Sequence, residues 1–210
     1  MRLDLFPLHT VLFPGVRLPL RIFEQRYLDM ISHCRDAELP FGVVLIRDGV
    51  EVGGFATPHE VGTVARISRV EALDNGCMNI LVVGERRFRI DKLVQMEPHV
   101  VGEVVEEAFP IDDPRTVAAV ASEVRSAFGE VVALFLELQG GYGVAGPLPR
   151  DPEALAYFVG SRLVVGDDAR QELLESASVD VLLEAELELV MRQMDDLQSM
   201  LESKRDGRRN

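Results

Sequence analysis

The hydrophobic period of this chain changes near Pro110, and that change limits the folds open to it more than any other feature. Before it, apolar runs are short and broken by Gly and Pro, as strands and turns read. After it, apolar residues step by three and four, as helices do. The pattern predicts an α+β architecture with a β-rich subdomain over 1–110 and an α-helical subdomain over 111–203. Residues 204–210 hold no apolar side chain and read as a frayed tail.

In the first part, Pro7, Pro14 and Pro19 lack backbone donors and belong at strand starts, edges or turns. Pro14-Gly15 has the residue types of a type II turn centre. Phe23, Tyr27, Met30/Ile31 and Cys34 recur at helical spacing, which predicts one helix ending near Asp36. Phe41 to Ile46 reads as a buried strand. Val61 to Leu73, Asn75-Gly76 and Cys77 to Val83 read as a hairpin with a tight turn. Gly84 then interrupts the strand pattern, Phe88 and Ile90 alternate with Arg87 and Arg89, and Val100 to Val105 supplies a last strand.

In the second part, Asp113-Pro114 and Asp151-Pro152 each pair an N-cap residue with a proline suited to the first helical position. The first pair opens a helix carrying Val117, Ala121, Val124, Phe128, Val131, Phe135 and Leu138, ended by Gly140-Gly141. The second opens a helix with Leu155, Phe158, Val159 and Leu163, for which Gly166 is the expected stop. A short helix with Leu173-Leu174 follows. The last helix, from about Val179 to Ser203, carries Leu183, Leu187, Val190, Met194, Leu197 and Leu201 at strict heptad spacing. Such a seam either packs inside the bundle or pairs two chains as a homodimer through Leu187, Val190, Met194 and Leu197.

Composition excludes several function classes. A formal charge of -13 repels nucleic-acid phosphates and anionic membrane surfaces, so neither is an expected partner. No apolar run approaches the ~18 residues of a spanning helix, the opening residues lack the core of a signal peptide, and two scattered cysteines suit a reducing cytoplasm. His9, His33, His59 and His99 form no metal-ligand spacing, and no metal or cofactor is expected. Gly141-Tyr142-Gly143-Val144-Ala145-Gly146 has the spacing of a dinucleotide motif, but it follows a helix and precedes prolines, as an interhelical loop does. Glu184, Glu186, Glu188, Asp195 and Asp196 flank the apolar seam as solvated faces do. Arg86-Arg87-Phe88-Arg89 has the local look of a nucleic-acid contact, although pairing with carboxylates explains it as well.

Phe6-Pro7-Leu8, Leu12-Phe13-Pro14-Gly15, Leu18-Pro19-Leu20 and Ile22-Phe23-Glu24-Gln25-Arg26-Tyr27 resemble the opening of the Lon protease N-terminal, substrate-binding domain. The resemblance continues through Phe41-Gly42-Val43, Val61-Gly62-Thr63-Val64-Ala65, Asp74-Asn75-Gly76 and Gly84 to Ile90. It implies a PUA-like β-barrel joined to a helical bundle with a long last helix. It also implies a stand-alone, non-catalytic module, since neither a Walker motif nor a Ser-Lys protease segment is present.

The resemblance further implies capture of unfolded or extended polypeptide segments, with a protease or chaperone as partner, in the manner of an adaptor in protein quality control. The expected peptide-binding residues are Glu24, Arg26 and Tyr27 at the first helix, Phe55 in the Gly-rich loop 51–58, and Arg87. Glu24, Arg26 and Arg87 serve equally well as a buried ion-pair set. Two alternatives come from other classes. One is a small-molecule enzyme with a pocket between barrel and bundle, using His33, Cys34 or His99. The other is an RNA-binding barrel, which requires a contiguous positive face around Arg66, Arg69, Arg86 and Arg89.

Overall fold

The computed structural model describes residues 1–207 apart from positions 55, 75 and 145. Six strands come first: β1 (Arg2–Leu8), β2 (Arg17–Ile22), β3 (Phe41–Gly49), β4 (Ala56–Ala72), β5 (Met78–Gln95) and β6 (Val100–Glu106), with helix α1 (Gln25–Asp36) between β2 and β3. Four helices follow: α2 (Pro114–Leu138), α3 (Pro152–Gly160), α4 (Asp167–Leu174) and α5 (Val179–Gly207). The chain divides into two compact units. Residues 1–108 with 166–175 form the first, and residues 109–165 with 176–210 form the second.

In the first unit the sheet runs β2-β5-β4-β3-β1-β6, and β6 returns to pair with β5, closing a barrel. β1 and β3 are parallel to each other, with Leu5 opposite Gly42, while the remaining pairs are antiparallel. Strand alternation divides the apolar side chains of β1 and β3 between two cores. Leu3, Leu5 and Val44 join Val64, Phe88, Val100 and Val104 in one core. Phe6, Leu8, Phe41 and Val43 join Tyr27, Met30, Ile31 and Cys34 of α1 in the other. Burial on both faces is why these strands read as continuous apolar runs rather than as alternation.

The ribbon between β1 and β2 is held by two devices. Pro14-Gly15 makes the expected type II turn: Gly15 has φ 75°, and the Val16 N–H donates to the Phe13 carbonyl at 3.1 Å. The ribbon lies so close to Gly84 that a Cβ there would overlap the Phe13 carbonyl oxygen. The interruption seen at Gly84 is thus a close backbone approach beside a bulge, because the β4–β5 register shifts between Val64 and Ala65. Buried Thr63 completes the attachment by donating its hydroxyl proton to the Leu12 carbonyl at 2.5 Å. Thr63→Val keeps the shape and removes that donor, so a loss of about 1–2 kcal/mol is expected, read by urea denaturation; an unchanged midpoint would show that the bond contributes nothing.

α4 was expected beside the other helices but belongs to the first unit. Gln171 donates from Nε2 to the Val61 carbonyl at 3.0 Å, and Arg87 donates from a terminal nitrogen to the Leu174 carbonyl at 2.6 Å. Gly166 does not stop α3, which ends at Gly160; it is the N-cap residue of α4 instead.

In the second unit both Asp-Pro starts behave as expected. Asp113 accepts from the Arg115 N–H at 3.0 Å and Asp151 from the Ala154 N–H at 2.9 Å. α2 packs along α5, and α3 packs against both. The stripe of α2 is buried through Val131, but Phe135 is 50% exposed, so the apolar spacing continues past the core. The α5 seam is used within the chain: Leu183, Val190, Leu197 and Leu201 are buried, with Leu187 and Met194 half-buried. Of the four residues expected to pair two chains, Val190 and Leu197 are buried within the chain, while Leu187 and Met194 keep part of their surface. The tail expectation is corrected over residues 204–207, and residues 208–210 lie outside the described ones. α5 continues to Gly207, Arg205 pairs with Glu137 at 2.7 Å, and the Lys204 ammonium donates to the Leu138 carbonyl at the C-terminus of α2, where a cation is favoured. Among the acidic residues read as solvated, Glu186 is 0% exposed.

Candidate functional site

Two hollows flank α1, and the residues that shape them are its N-cap, the loop before β4 and the ends of β1 and β2. Glu24 caps α1 by backbone alone; its carboxylate instead accepts the Gly53 N–H at 3.2 Å and pairs with Arg26 at 3.0 Å. Arg26 donates to the Gly54 carbonyl at 3.0 Å and lies 4.6 Å above the Tyr27 ring. The His9 N–H donates to Glu51 at 2.8 Å. These bonds tie the Gly-rich segment to α1 and to the first ribbon, and Val52 and Phe23 line the same groove.

Between these walls is a groove of about 260 Å³, lined by Phe6, Leu8, Leu20, Phe23, Tyr27 and Val52 among others. Its floor is rigid: Tyr27 is buried with its ring 4.2 Å from that of Phe6, and burial holds its phenol above the usual range. Its rim is apolar and open, with Phe23 51% exposed. The structure therefore brings Glu24, Arg26 and Tyr27 together. Phe55 lies outside the described residues. Arg87 lies apart from these three: it is 3% exposed on β5, bonded to the Leu174 carbonyl, and is not among the residues lining the groove. Reading Phe23 as a helical core position hid its part in the groove. The sequence signal was its place directly before the N-cap, where a side chain has left the helical face.

The other hollow is a cleft of about 500 Å³ that includes Asp4, Met30, His33, Leu39, Gln95 and His99 in its lining. His99 Nε2 is 3.0 Å from Asp4 Oδ1, and this hydrogen bond holds the Asp4 carboxyl below its usual value. The Cys34 thiol donates to the other oxygen of Asp4 at 3.9 Å. The enzyme alternative placed a pocket between barrel and bundle; this cleft belongs to the first unit alone. Burial, reinforced by the Asp4 charge, pushes the Cys34 thiol up to about 12, so no thiolate forms at neutral pH. No Ser, Thr, Cys or Lys lines the cleft among the described residues, and no cluster of three His, Cys, Asp or Glu suited to a metal ion occurs among them.

Of the four arginines that the RNA alternative requires, three are paired with carboxylates and Arg69 is exposed. Arg66 pairs with Glu85 at 2.5 Å, Arg86 with Glu106 at 3.0 Å, and Arg89 with Glu107 at 2.7 Å. Tyr142 of the glycine-rich loop is 98% exposed between α2 and α3, and Ala145 lies outside the described residues. No helix among the described residues is long and apolar enough to cross a membrane.

The first unit is thus a closed barrel with a partly apolar concave surface beside α1. Residues 2–192 match the family of the ATP-dependent protease La (LON) substrate-binding domain, and the chain belongs to that family. It is 30% identical over 199 residues to a Lon protease of Anaeromyxobacter dehalogenans, covering 93% of this chain and 24% of that protein. The chain thus spans about a quarter of the length of such curated relatives. A crystal structure of a Lon N-terminal domain protein from Xanthomonas campestris shares 29% identity with a TM-score of 0.64, covering 88% of this chain and 95% of that one. The N-terminal domain of a Mycobacterium avium complex Lon protease has the same fold at 16% identity, with a TM-score of 0.69 and coverage of 91% and 98%. The α+β fold expected from the sequence is the fold of this family.

Proposed function

We propose that this chain captures unfolded or extended polypeptide segments by taking an apolar side chain into the groove beside α1, as a non-catalytic adaptor that hands them to a protease or chaperone partner. The observation that carries this reading is the pairing of a rigid floor, Phe6 and Tyr27, with an exposed apolar rim, Phe23 and Val52. Family membership supports a substrate-binding role, and the two free cysteines suit a cytoplasmic setting.

Groove insertion is favoured over addition of a strand to the sheet. β2 pairs only with β5 among the described residues. The Gly84 N–H donates to the Val16 carbonyl at 2.9 Å, so by alternation Arg17, Pro19 and Arg21 turn their backbone groups toward the open edge. Pro19 has no N–H there, and Arg17 and Arg21 are exposed charges, which are the usual means of blocking edge pairing.

The test is binding of a casein-type unfolded chain and a peptide array, with a folded protein and an RNA pool as controls. Phe23→Ser is expected to weaken polypeptide binding roughly tenfold, the value of one partly buried aromatic contact, with circular dichroism unchanged. Equal binding by the variant, or no saturable binding by the parent chain, would end this reading.

A further inference from the structure

The outer face of β2, β5 and β4 carries three arginines that the fold leaves without carboxylates. Leu18 and Leu20 of β2, Ile80 and Val82 of β5, and Ile67 and Val70 of β4 turn into the core beside α1. By strand alternation Arg17, Pro19 and Arg21 turn the other way, as do Leu81 and Val83. On β4 the register shifts between Ile67 and Arg69, and this bulge turns Arg69 outward as well, opposite Leu81, which in turn stands opposite Pro19. Arg17, Arg21 and Arg69 are exposed, and none of them forms an ion pair among the described residues. Arg66, on the same face, is instead held by Glu85 at 2.5 Å. The chain has 35 Asp and Glu against 22 Lys and Arg, so a face on which three guanidiniums find no carboxylate runs against its composition. Protection of the β2 edge accounts for Arg17 and Arg21 but not for the bulge that brings Arg69 to the same side.

We propose that this face docks an acidic segment of a partner polypeptide, with its carboxylates on Arg17, Arg21 and Arg69 and an uncharged residue over Leu81 at their centre. Arg17 and Arg21 are about 14 Å apart along β2, and β4 lies about 10 Å from β2 across β5, so Arg69 faces the middle of the Arg17–Arg21 interval. That interval is the length of roughly four extended residues. Each guanidinium can take a carboxylate through two parallel hydrogen bonds. The same face also holds Glu71 and the Arg66–Glu85 pair. A nucleic-acid strand bears a phosphate at every nucleotide and meets these carboxylates with like charge, whereas a polypeptide can set neutral residues against them. No aromatic residue occurs in 17–21, 66–71 or 79–83 on which a base could stack. This surface is additional to the capture groove: Pro19 and Arg21 border both, while Arg17 and Arg69 are not among the residues lining the groove.

The experiment measures, by fluorescence anisotropy with the full chain, binding of a short labelled peptide of alternating Glu and Ser, with its Lys-Ser counterpart and an oligouridylate of equal length as controls. The acidic peptide is expected to bind saturably at low salt and to lose affinity as sodium chloride is raised, as exposed ion pairs do. Arg17→Glu combined with Arg69→Glu is expected to weaken it at least about tenfold, while Phe23→Ser leaves it unchanged and the double variant keeps Phe23-dependent binding of a neutral peptide. Arg17→Gln combined with Arg69→Gln, which removes charge without reversing it, is expected to give a smaller loss in the same direction and carries the test if charge reversal unfolds the protein. Equal affinity of these variants, no saturable binding of the acidic peptide, or tighter binding of the oligouridylate that the same variants abolish would overturn the proposal and leave the capture function standing. Self-association in sedimentation that the double variant abolishes would give the face to a second copy and overturn it as well.

Discussion

Arg87→Ala is expected to destabilise the first unit by about 3 kcal/mol, the cost of removing a buried charged donor and leaving its acceptor unpaired. Arg87 is 3% exposed, stands opposite Thr63 in the β4–β5 ladder and donates to the Leu174 carbonyl at the C-terminal end of α4. A helix C-terminus has carbonyls without intrahelical partners and partial negative charge, so a guanidinium there both satisfies and attracts. Without it α4 keeps only Gln171 as its hydrogen-bonded tie to the Val61 carbonyl among these two. Urea denaturation should show the loss, and hydrogen exchange should show faster opening across Gly166–Glu175. Peptide affinity of the folded variant should be unchanged. Unchanged stability with lost binding would return Arg87 to the peptide site.

Glu186→Met should act in the opposite direction, stabilising the second unit by about 1–3 kcal/mol at neutral pH, the range for relieving a buried polar group without good partners. Glu186 is fully buried on α5, neither oxygen has a hydrogen bond of good geometry, and burial holds its carboxyl well above the usual range, only partly offset by the Gly160 amide. The folded state therefore binds this proton more tightly than the unfolded state does. Stability from this group is fully present below the unfolded carboxyl value near 4.5 and is lost as pH rises toward the folded one. The advantage of Met over Glu should accordingly shrink as pH is lowered toward 4.5, as followed by denaturation at several pH values. A gain that stays constant with pH would mean that Glu186 does not titrate between the two states.

Much of this molecule follows from local rules acting on the residues themselves. The change of period near Pro110, the Asp-Pro helix starts and the Pro14-Gly15 turn each depend on backbone chemistry within a few residues, and each appears where the sequence places it. Glu24, Arg26 and Tyr27 were legible as candidates because the resemblance put them at the start of the first helix, and the structure brings these three together.

What covers an apolar face is a different matter, because periodicity reports which side of an element is apolar and not what it meets. The α5 heptad looks the same whether its partner is α2 or a second chain, and the tertiary structure shows α2 packed along it. Glu186 looks like its solvated neighbours Glu184 and Glu188 until α5 is placed in its unit. Arg87 sits in a basic run that suggests a ligand, and only the long-range approach of α4 makes it a structural donor. The groove itself is assembled from β1, β2, α1 and the loop before β4, segments distant in sequence. Local preference, set by neighbouring residues, determined the elements; solvent exclusion among distant segments decided which side chains remained at the surface to bind.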